Sequence, residues 1–359
     1  MSNNNLTIKI FDNFSDPILV KGWHYLEHQT NAFPQMYHEW ISTWWKHNKG
    51  QKGLYIIGVV NEDEELIGLA PFCIDKQFGV KILLSIPVHF GDFYELIALD
   101  SEVIDVIIAH TKSFRKWNVV KVFNNNSESN AFNAFLKHGF ASKEIVEILA
   151  PKFEGLSFDN FLKTISKNSR NQYKKKLRRL EKEGEVNFVI ADSWEAYMVN
   201  FESTKKLYNI RWKDDKRPLL PDDYYTMRNE ALKPLFDKKK AIMFLLKYDD
   251  EVIAFRLGFL NNKTFYDWKV SHNPKFDYYS PGFLTVGLII NHLIKENKNS
   301  FNFMTGNYQY KRSWTNTDVN SINYELLCAK KFSIGQLYFN YRKTYRDQLK
   351  KVAKKLKLA

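Results

Sequence analysis

The chain has 359 residues, 44% of them hydrophobic and 16% aromatic, long enough for two domains with real cores. Its net charge of +13 points to anionic partners: nucleotides, polyanionic sugars, anionic membrane surfaces or nucleic acid. Cys73 and Cys328, far apart in apolar strand-like runs, argue against a disulfide framework and suit a reducing cytoplasm. The opening MSNNNLTIKIF lacks the basic and apolar regions of a secretion signal. No uncharged apolar run approaches the roughly 18 residues that span a bilayer, so membrane contact would be peripheral.

The first half opens with a short strand pattern, LTIKIF, and a helical stretch. FPQMYHEWISTWWKH follows, where Met36, Trp40, Trp44 and His47 recur at helical spacing and read as core. His24-Tyr25-Leu26-Glu27-His28 has the H-x-x-E-H spacing of a zinc site, with two His on one helical face and Glu27 as general base. A third ligand is wanting, Glu102 and Asp105 standing there only by default, so the pair reads as two solvent-facing His and no metal is expected. LYIIGVV, the acidic turn NEDEE and LIGLAPFCID read as a hairpin, and VKILLSIPVHFGDFYELIAL as two more apolar strands around His89 and Asp92. A helix over 103–116, a strand at Val119 to Phe123, the polar loop NNNSESN and a helix ending at His138-Gly139 complete a domain over 1–150.

Between Lys163 and Lys182 nine Lys or Arg stand against one acid, Glu181. Phe158, Phe161, Leu162, Ile165, Tyr173, Leu177 and Leu180 supply an apolar stripe, so 156–184 reads as one amphipathic helix that Gly184 ends as a C-cap glycine. It is either a solvated basic connector over 151–185 or a surface for a polyanion or an anionic membrane. A strand VNFVIA follows, then a helix with Tyr208, Arg211 and Trp212, the loop KDDKRPLLPDD and a helix to Lys240. AIMFLLKY, the turn Asp249-Asp250 and EVIAFRLGFLNN form a hairpin, to which TFYDWKV adds a third antiparallel strand. SFNFMTG, the short helical NYQYKRSW and the strand SINYELLCA close a second domain over 186–335. The rest, 336–359, reads as a basic C-terminal helix, with eight Lys or Arg after Tyr341 against Asp347.

Tyr278-Tyr279-Ser280-Pro281-Gly282-Phe283 stands between the third strand and FLTVGLIINHLI, a run apolar nearly all round and so expected as a buried helix begun by Pro281. Strand, Ser/Pro/Gly turn and buried helix form an architecture for phosphate. The first N–H groups of a helix lack internal partners and lie at the positive end of its dipole, and Gly282 lets an anion come close. The two halves also echo each other: LYIIGVVNEDEELIGLAPF and MFLLKYDDEVIAFRLGF share strand, acidic turn and strand, as a duplicated meander would. The fold class expected is α+β (mixed α/β), each domain a mostly antiparallel central sheet flanked by helices.

The order meander, turn, helix, strand, helix resembles that of a GNAT-type acyl-CoA N-acyltransferase. More narrowly the chain is similar to the tandem-GNAT family labelled CelD/BcsL, linked to cellulose and other polysaccharide synthesis. The likeness runs over about residues 35 to 330. It rests on EWISTWW, IGLAPF and Gly91-Asp92-Phe93, on Asn171 to Leu180 with Gly184, and on Arg211-Trp212. Ser280-Pro281-Gly282 and FNFMTGNYQYKRSW are its most specific parts. Asn302 stands where that family shows an acid, and YYSPGF stands in place of the usual Gln/Arg-x-x-Gly-x-Gly/Ala phosphate loop.

The resemblance implies a cytoplasmic acyltransferase, acetyl-CoA or another acyl-CoA as co-substrate, and an amino or hydroxyl acceptor on a sugar, sugar nucleotide or surface-polysaccharide precursor. Such a site holds the donor's diphosphate, stabilises an oxyanion and removes a proton from the acceptor. Ser280, Pro281, Gly282, Phe283 and Leu284 are expected to hold the diphosphate, with the N–H groups of the last three facing it. Pantetheine is expected along the splayed strands at Phe265–Val270 and Phe301–Met304. Asp267, an acid in an apolar strand, reads as a base of raised pKa, or as an edge-strand Asp in water or paired with Lys269. Tyr310 would protonate the leaving thiolate and Lys311 bind an anionic acceptor, or the two are a structural Tyr and a surface Lys. His89 and Asp92 would complete an acceptor pocket, Arg211-Trp212 clamp a sugar or carboxylate, and Trp314 border the same substrate. Fem-type aminoacyltransferases share the tandem fold and use aminoacyl-tRNA, which the basic helix would also suit. A tandem GNAT that has lost catalysis and serves as a scaffold at an anionic membrane is the non-enzymatic alternative.

Overall fold

A computed structural model of the chain describes residues 6–77, 79–88, 90–114, 116–214, 220–306, 308–316, 321–338 and 340–341, with backbone alone at 212–214. It divides into two compact units, residues 1–145 with 322–359, and residues 146–321.

The first unit contains β1 (Thr7–Phe11), α1 (Pro17–Gln29), α2 (His38–Asn48), β2 (Gly53–Val60), β3 (Leu66–Gln77), β4 (Val80–Ser85), β5 (Ile97–Ala98), α3 (Ser101–Thr111), β6 (Val119–Asn126) and α4 (Asn130–Lys137). Its sheet runs β1-β2-β3-β4-β6 and continues through the chain's last strand to β7 (Ala141–Ile148). β1 to β4 pair antiparallel in sequence order, and β4 pairs parallel with β6. The aromatic stripe of α2 is core: Met36, Trp40 and Trp44 are buried, and Trp40 stacks on Phe90 at 4.6 Å.

The second unit runs through α5 (Phe158–Thr164), α6 (Lys167–Glu183), β8 (Val186–Ala191), α7 (Trp194–Asp214), α8 (Asp222–Asp237), β9 (Ala241–Tyr248), β10 (Glu251–Asn261), β11 (Thr264–His272), α9 (Pro281–Lys295), β12 (Ser300–Asn302) and α10 (Gln309–Arg312). The last strand, β13 (Ser321–Ala329), pairs with β6 in the first sheet. The second sheet is β8-β9-β10-β11-β12, with every pairing antiparallel except β11 with β12, which is parallel. This repeats the first sheet's β1-β2-β3-β4-β6 order and senses, so the sequence echo is a duplicated topology. Asp249 and Asp250 both take positive φ, 45° and 65°, the left-handed pair that a two-residue hairpin demands. The architecture is α+β, two mostly antiparallel sheets flanked by helices.

Four expectations change. Residues 151–185 are not a connector between domains: α5 and α6 belong to the second unit, and Phe161, Leu162, Tyr173 and Leu180 enter its core. The single amphipathic helix breaks at Ile165, because Ser166 caps a new helix by accepting the Ser169 N–H at 3.1 Å. Gly184 is extended (φ −175°) rather than left-handed; a Cβ there would meet Tyr248 at 2.5 Å, so glycine serves close approach. SINYELLCA leaves the second domain for the first sheet, since its partner strand is β6. Residues 334–338 are helical, and the basic stretch 342–359 lies outside the described residues.

Candidate active site

The site is made by a strand that loses its neighbour. β11 and β12 pair only from Thr264 to Tyr266 opposite Ser300 to Asn302. Beyond that, Phe301 and Phe303 donate to Pro151 and Leu149 at 3.1 and 2.9 Å, which holds β12 to the segment on its other edge. The cleft-side edge of β11 after Tyr266 therefore has no ladder partner among the described residues. On the opposite edge β11 carries a bulge: Leu257 pairs with Lys269 and Gly258 with Asp267, leaving Trp268 extra. Gly258 makes the bulge possible, since a Cβ there would lie 2.0 Å from the Tyr266 carbonyl oxygen. A cavity of about 710 Å³ opens at the splay, lined from β11, the Phe303–Thr305 segment, α10 and the start of α9.

At its base sit three buried charged residues with a neutral tyrosine beside them. Asp267 and Arg256 are 3% and 2% exposed, and one Asp267 oxygen (Oδ2) is bound by the Arg256 guanidinium. The second oxygen, Oδ1, has no hydrogen-bond partner among the described residues. Arg256 Nη2 also donates to the Gly282 carbonyl at 2.9 Å, and its guanidinium lies 5.4 Å from the Tyr310 ring centre. Burial pushes the Asp267 carboxyl above the ordinary carboxylate range, although Arg256 and Lys311 pull against it. Burial likewise raises the Tyr310 phenol, so it keeps its proton at neutral pH. Lys311 is buried and donates to the carbonyls of Phe303 and Thr305, each at 2.9 Å, clamping the far wall of the cleft.

The other end of the cavity is the turn before α9. Ser280 takes the left-handed conformation (φ 54°, ψ 59°), Pro281 occupies the first helical position, and the helix buries Leu284, Val286, Ile289, Ile290 and Leu293. Phe283 and Leu284 N–H groups both bond to the Ser280 carbonyl, at 2.9 and 3.1 Å. The expectation of three bare amides is thus corrected: Gly282 N–H is the first-turn donor left without an acceptor among the described residues. Cations replace the missing amides. Lys176 reaches Ser280 Oγ at 2.5 Å, Arg179 lies 4.6 Å from the Tyr278 ring centre, and Arg211 contacts the His272 ring at 2.5 to 2.8 Å. His272 in turn contacts Asp277 at 2.9 Å, and burial with the neighbouring Arg211 charge lowers its pKa. A group with a diphosphate and a narrow arm fits this shape: one free amide and flanking cations at one end, an unpaired strand edge along the wall.

Of the residues expected from sequence, Asp267, Tyr310, Lys311, Ser280, Gly282, Phe283 and Arg211 line this one cavity. Lys311 is not a surface lysine, and it is committed to two carbonyls rather than to an acceptor. Asp267 is paired with Arg256 and not with Lys269, which lies over the Trp268 ring. Trp314 is not at the cavity: it is fully buried, packed between Phe161, Tyr173 and Phe283. Asp92 belongs to the first unit, where its N–H bonds to Gln35 and its carbonyl accepts from Asn323, and the lining of the cavity lies wholly in the second. His89 and the Trp212 side chain lie outside the described residues. In H-x-x-E-H, His28 is exposed, while Glu27 is buried and accepts the His38 N–H at 2.7 Å, tying α1 to the start of α2. His24 bonds to Glu27 at 3.2 Å, and these two with Glu39 form a cluster of possible ligand atoms within 4.8 Å.

Sequence reading missed Arg256, His272 and Lys176. Arg256 had a usable signal: one cation in the apolar strand EVIAFRLGF beside one acid in TFYDWKV, and buried opposite charges in neighbouring strands pair.

A sequence profile of the Acetyltransferase (GNAT) domain family matches residues 167–312, the stretch holding every element of this site. No curated protein matches the chain by sequence. Among solved structures it is similar to FemX, with TM-score 0.59 and 12% identity over 82% of this chain and 93% of that one. It is also similar to L-PGS from Bacillus licheniformis, with TM-score 0.54 and 15% identity over 89% and 93%. A conserved protein of unknown function from Bacteroides thetaiotaomicron VPI-5482 gives TM-score 0.56 and 11% identity over 90% and 100%. At such identities the likeness is one of fold. The profile match marks residues 167–312 as a GNAT-type domain.

Proposed function

We propose that the protein is an acyl-CoA-dependent N- or O-acyltransferase, with acetyl-CoA the first donor to test. Its acceptor in this reading is an amine or hydroxyl on a sugar, sugar nucleotide or related surface-polysaccharide precursor, as in the CelD/BcsL-type family. The observation that carries the reading is Asp267: a buried acid with one oxygen on Arg256 and the other lacking a partner among the described residues, at the splay of the cleft. Asp267 takes the acceptor's proton as its nitrogen or oxygen attacks the thioester carbonyl. The oxyanion that forms lies against N–H groups on the unpaired edge of β11. As the carbon–sulfur bond breaks, Tyr310 gives its proton to the departing thiolate. Gly282 N–H, Lys176 and Arg211 hold the diphosphate, and Lys311 keeps the wall in place. A cytoplasmic setting suits two free cysteines.

One observation favours a second donor. Exposed Lys167, Lys174, Lys175, Arg178 and Lys182 of α6 lie on the helix that borders the turn, which suits the phosphates of aminoacyl-tRNA. Thermal shift with acetyl-CoA, CoA and tRNA separates these. Ligand at about 100 times Kd adds about 2.7 kcal/mol to the folded state. A rise with CoA species supports the proposal, a rise with tRNA alone replaces the donor, and no response favours a scaffold that has lost catalysis.

A further inference from the structure

Arg256 touches three parts of the site at once. One guanidinium nitrogen holds the Asp267 carboxylate, the other donates to the Gly282 carbonyl at 2.9 Å, and the Tyr310 ring lies 5.4 Å away. Gly282 supplies both the carbonyl Arg256 binds and the first-turn N–H that has no acceptor among the described residues. Arg256 comes from β10, Asp267 from β11, Gly282 from α9 and Tyr310 from α10, so one side chain crosses four elements. A buried Arg–Asp pair adds little stability over apolar packing, so stability alone is a weak reason to have one here. The planar fork of arginine, unlike a lysine ammonium, can satisfy a carboxylate and a carbonyl together in fixed geometry.

We propose that Arg256 is a positioning residue that couples the two ends of the cleft, holding Asp267 for proton transfer and, through the Gly282 carbonyl, the turn that receives the donor's diphosphate. This rests on the acyltransferase reading above. The charged and titratable groups facing Asp267 are Arg256 from β10 and Lys311 and Tyr310 from α10. Arg256 and Lys311 are the two that favour the carboxylate, so removing Arg256 leaves Lys311 as the remaining cation.

The test is the pH profile of kcat/KM and the donor KM for Arg256→Met and Arg256→Lys. Arg256→Met should move the acid limb of the profile upward by about one pH unit or more, because an adjacent opposite charge lowers a carboxyl by about 1–3 units. It should also raise the donor KM. Arg256→Lys keeps a charge but not the fork, so it should return the acid limb to near its wild-type position while the donor KM stays about tenfold up. That split is one a merely structural arginine would not produce, and it is readable from Arg256→Lys alone if Arg256→Met fails to fold. Unchanged limb and donor KM in folded variants, with kcat falling only as the folded fraction falls, overturns the coupling. A wild-type protein that neither binds CoA nor turns over acyl-CoA overturns the functional reading first, and the coupling with it.

Discussion

Asp267 and Arg256 cannot be removed one at a time without cost to the fold. Deleting either partner of a buried ion pair leaves an uncompensated charge and costs about 3–5 kcal/mol. Tyr310 is the cleaner probe, since it is a neutral group held protonated by burial. Tyr310→Phe should lower kcat about 100-fold, the low end for a general acid, while unfolding free energy changes by about 1 kcal/mol or less. Stopped kinetics and urea titration of the same sample check both halves. The acid was legible in sequence because a lone carboxylate in TFYDWKV contradicts its apolar strand. Its partner left a trace as the lone cation in EVIAFRLGF, but the orphaned oxygen left none, since it depends on a bulge that sets Asp267 opposite Gly258.

At the scale of elements, α6 does two jobs on two faces. Tyr173 and Leu180 are buried in the core with α9, and Gly287 lets Tyr173 and Trp314 approach: a Cβ there would meet Tyr173 at 2.3 Å and Trp314 at 2.6 Å. Lys176 and Arg179 lie on the side facing the Tyr278–Ser280 turn. The faces should separate by mutation. Leu180→Ala should cost about 2–5 kcal/mol in urea unfolding with donor KM unchanged in the folded protein. Lys176→Ala should change unfolding by about 0.5–1.5 kcal/mol, the worth of one part-buried hydrogen bond, and raise the donor KM about tenfold. The apolar stripe and the basic face were both visible in sequence. Which one met the Tyr278–Ser280 turn was not, because residues 176 and 280 are neighbours only after β8 to β11 have folded between them.

Over the whole molecule, acid sensitivity follows from histidines held neutral. Burial lowers the pKa of His38 in the first unit and of His272 and His292 in the second, each from 6.5. The unfolded chain therefore binds protons that the folded chain refuses, and stability that is full above about 6.5 is lost as pH falls toward the depressed folded values. Asp267 and Glu95, both raised in the fold by burial, act in the opposite sense, but they are two groups against three. The denaturation midpoint should fall between pH 7.5 and pH 5.5, each ring contributing at most about 1.4 kcal/mol per pH unit. Replacing His38 with Gln should flatten only the first unit's share.

Periodicity and turn chemistry were enough, from sequence, for two mixed sheets with antiparallel hairpins and for a buried helix behind a Ser-Pro-Gly turn. These are local: strand alternation, paired positive-φ Asp residues at a turn and proline at a helix start need no distant partner. The motifs in 280–314 pointed to a stretch that supplies much of one cavity's lining for the same reason, being contiguous. Tertiary structure decided the rest. It sent the last strand to the first sheet, took Trp314 into the core, bound two of three first-turn amides inside the helix and set cations in their place. Each of those outcomes turns on which groups compete for the same buried hydrogen bond or packing space, and that competition exists only between residues the fold has already brought together.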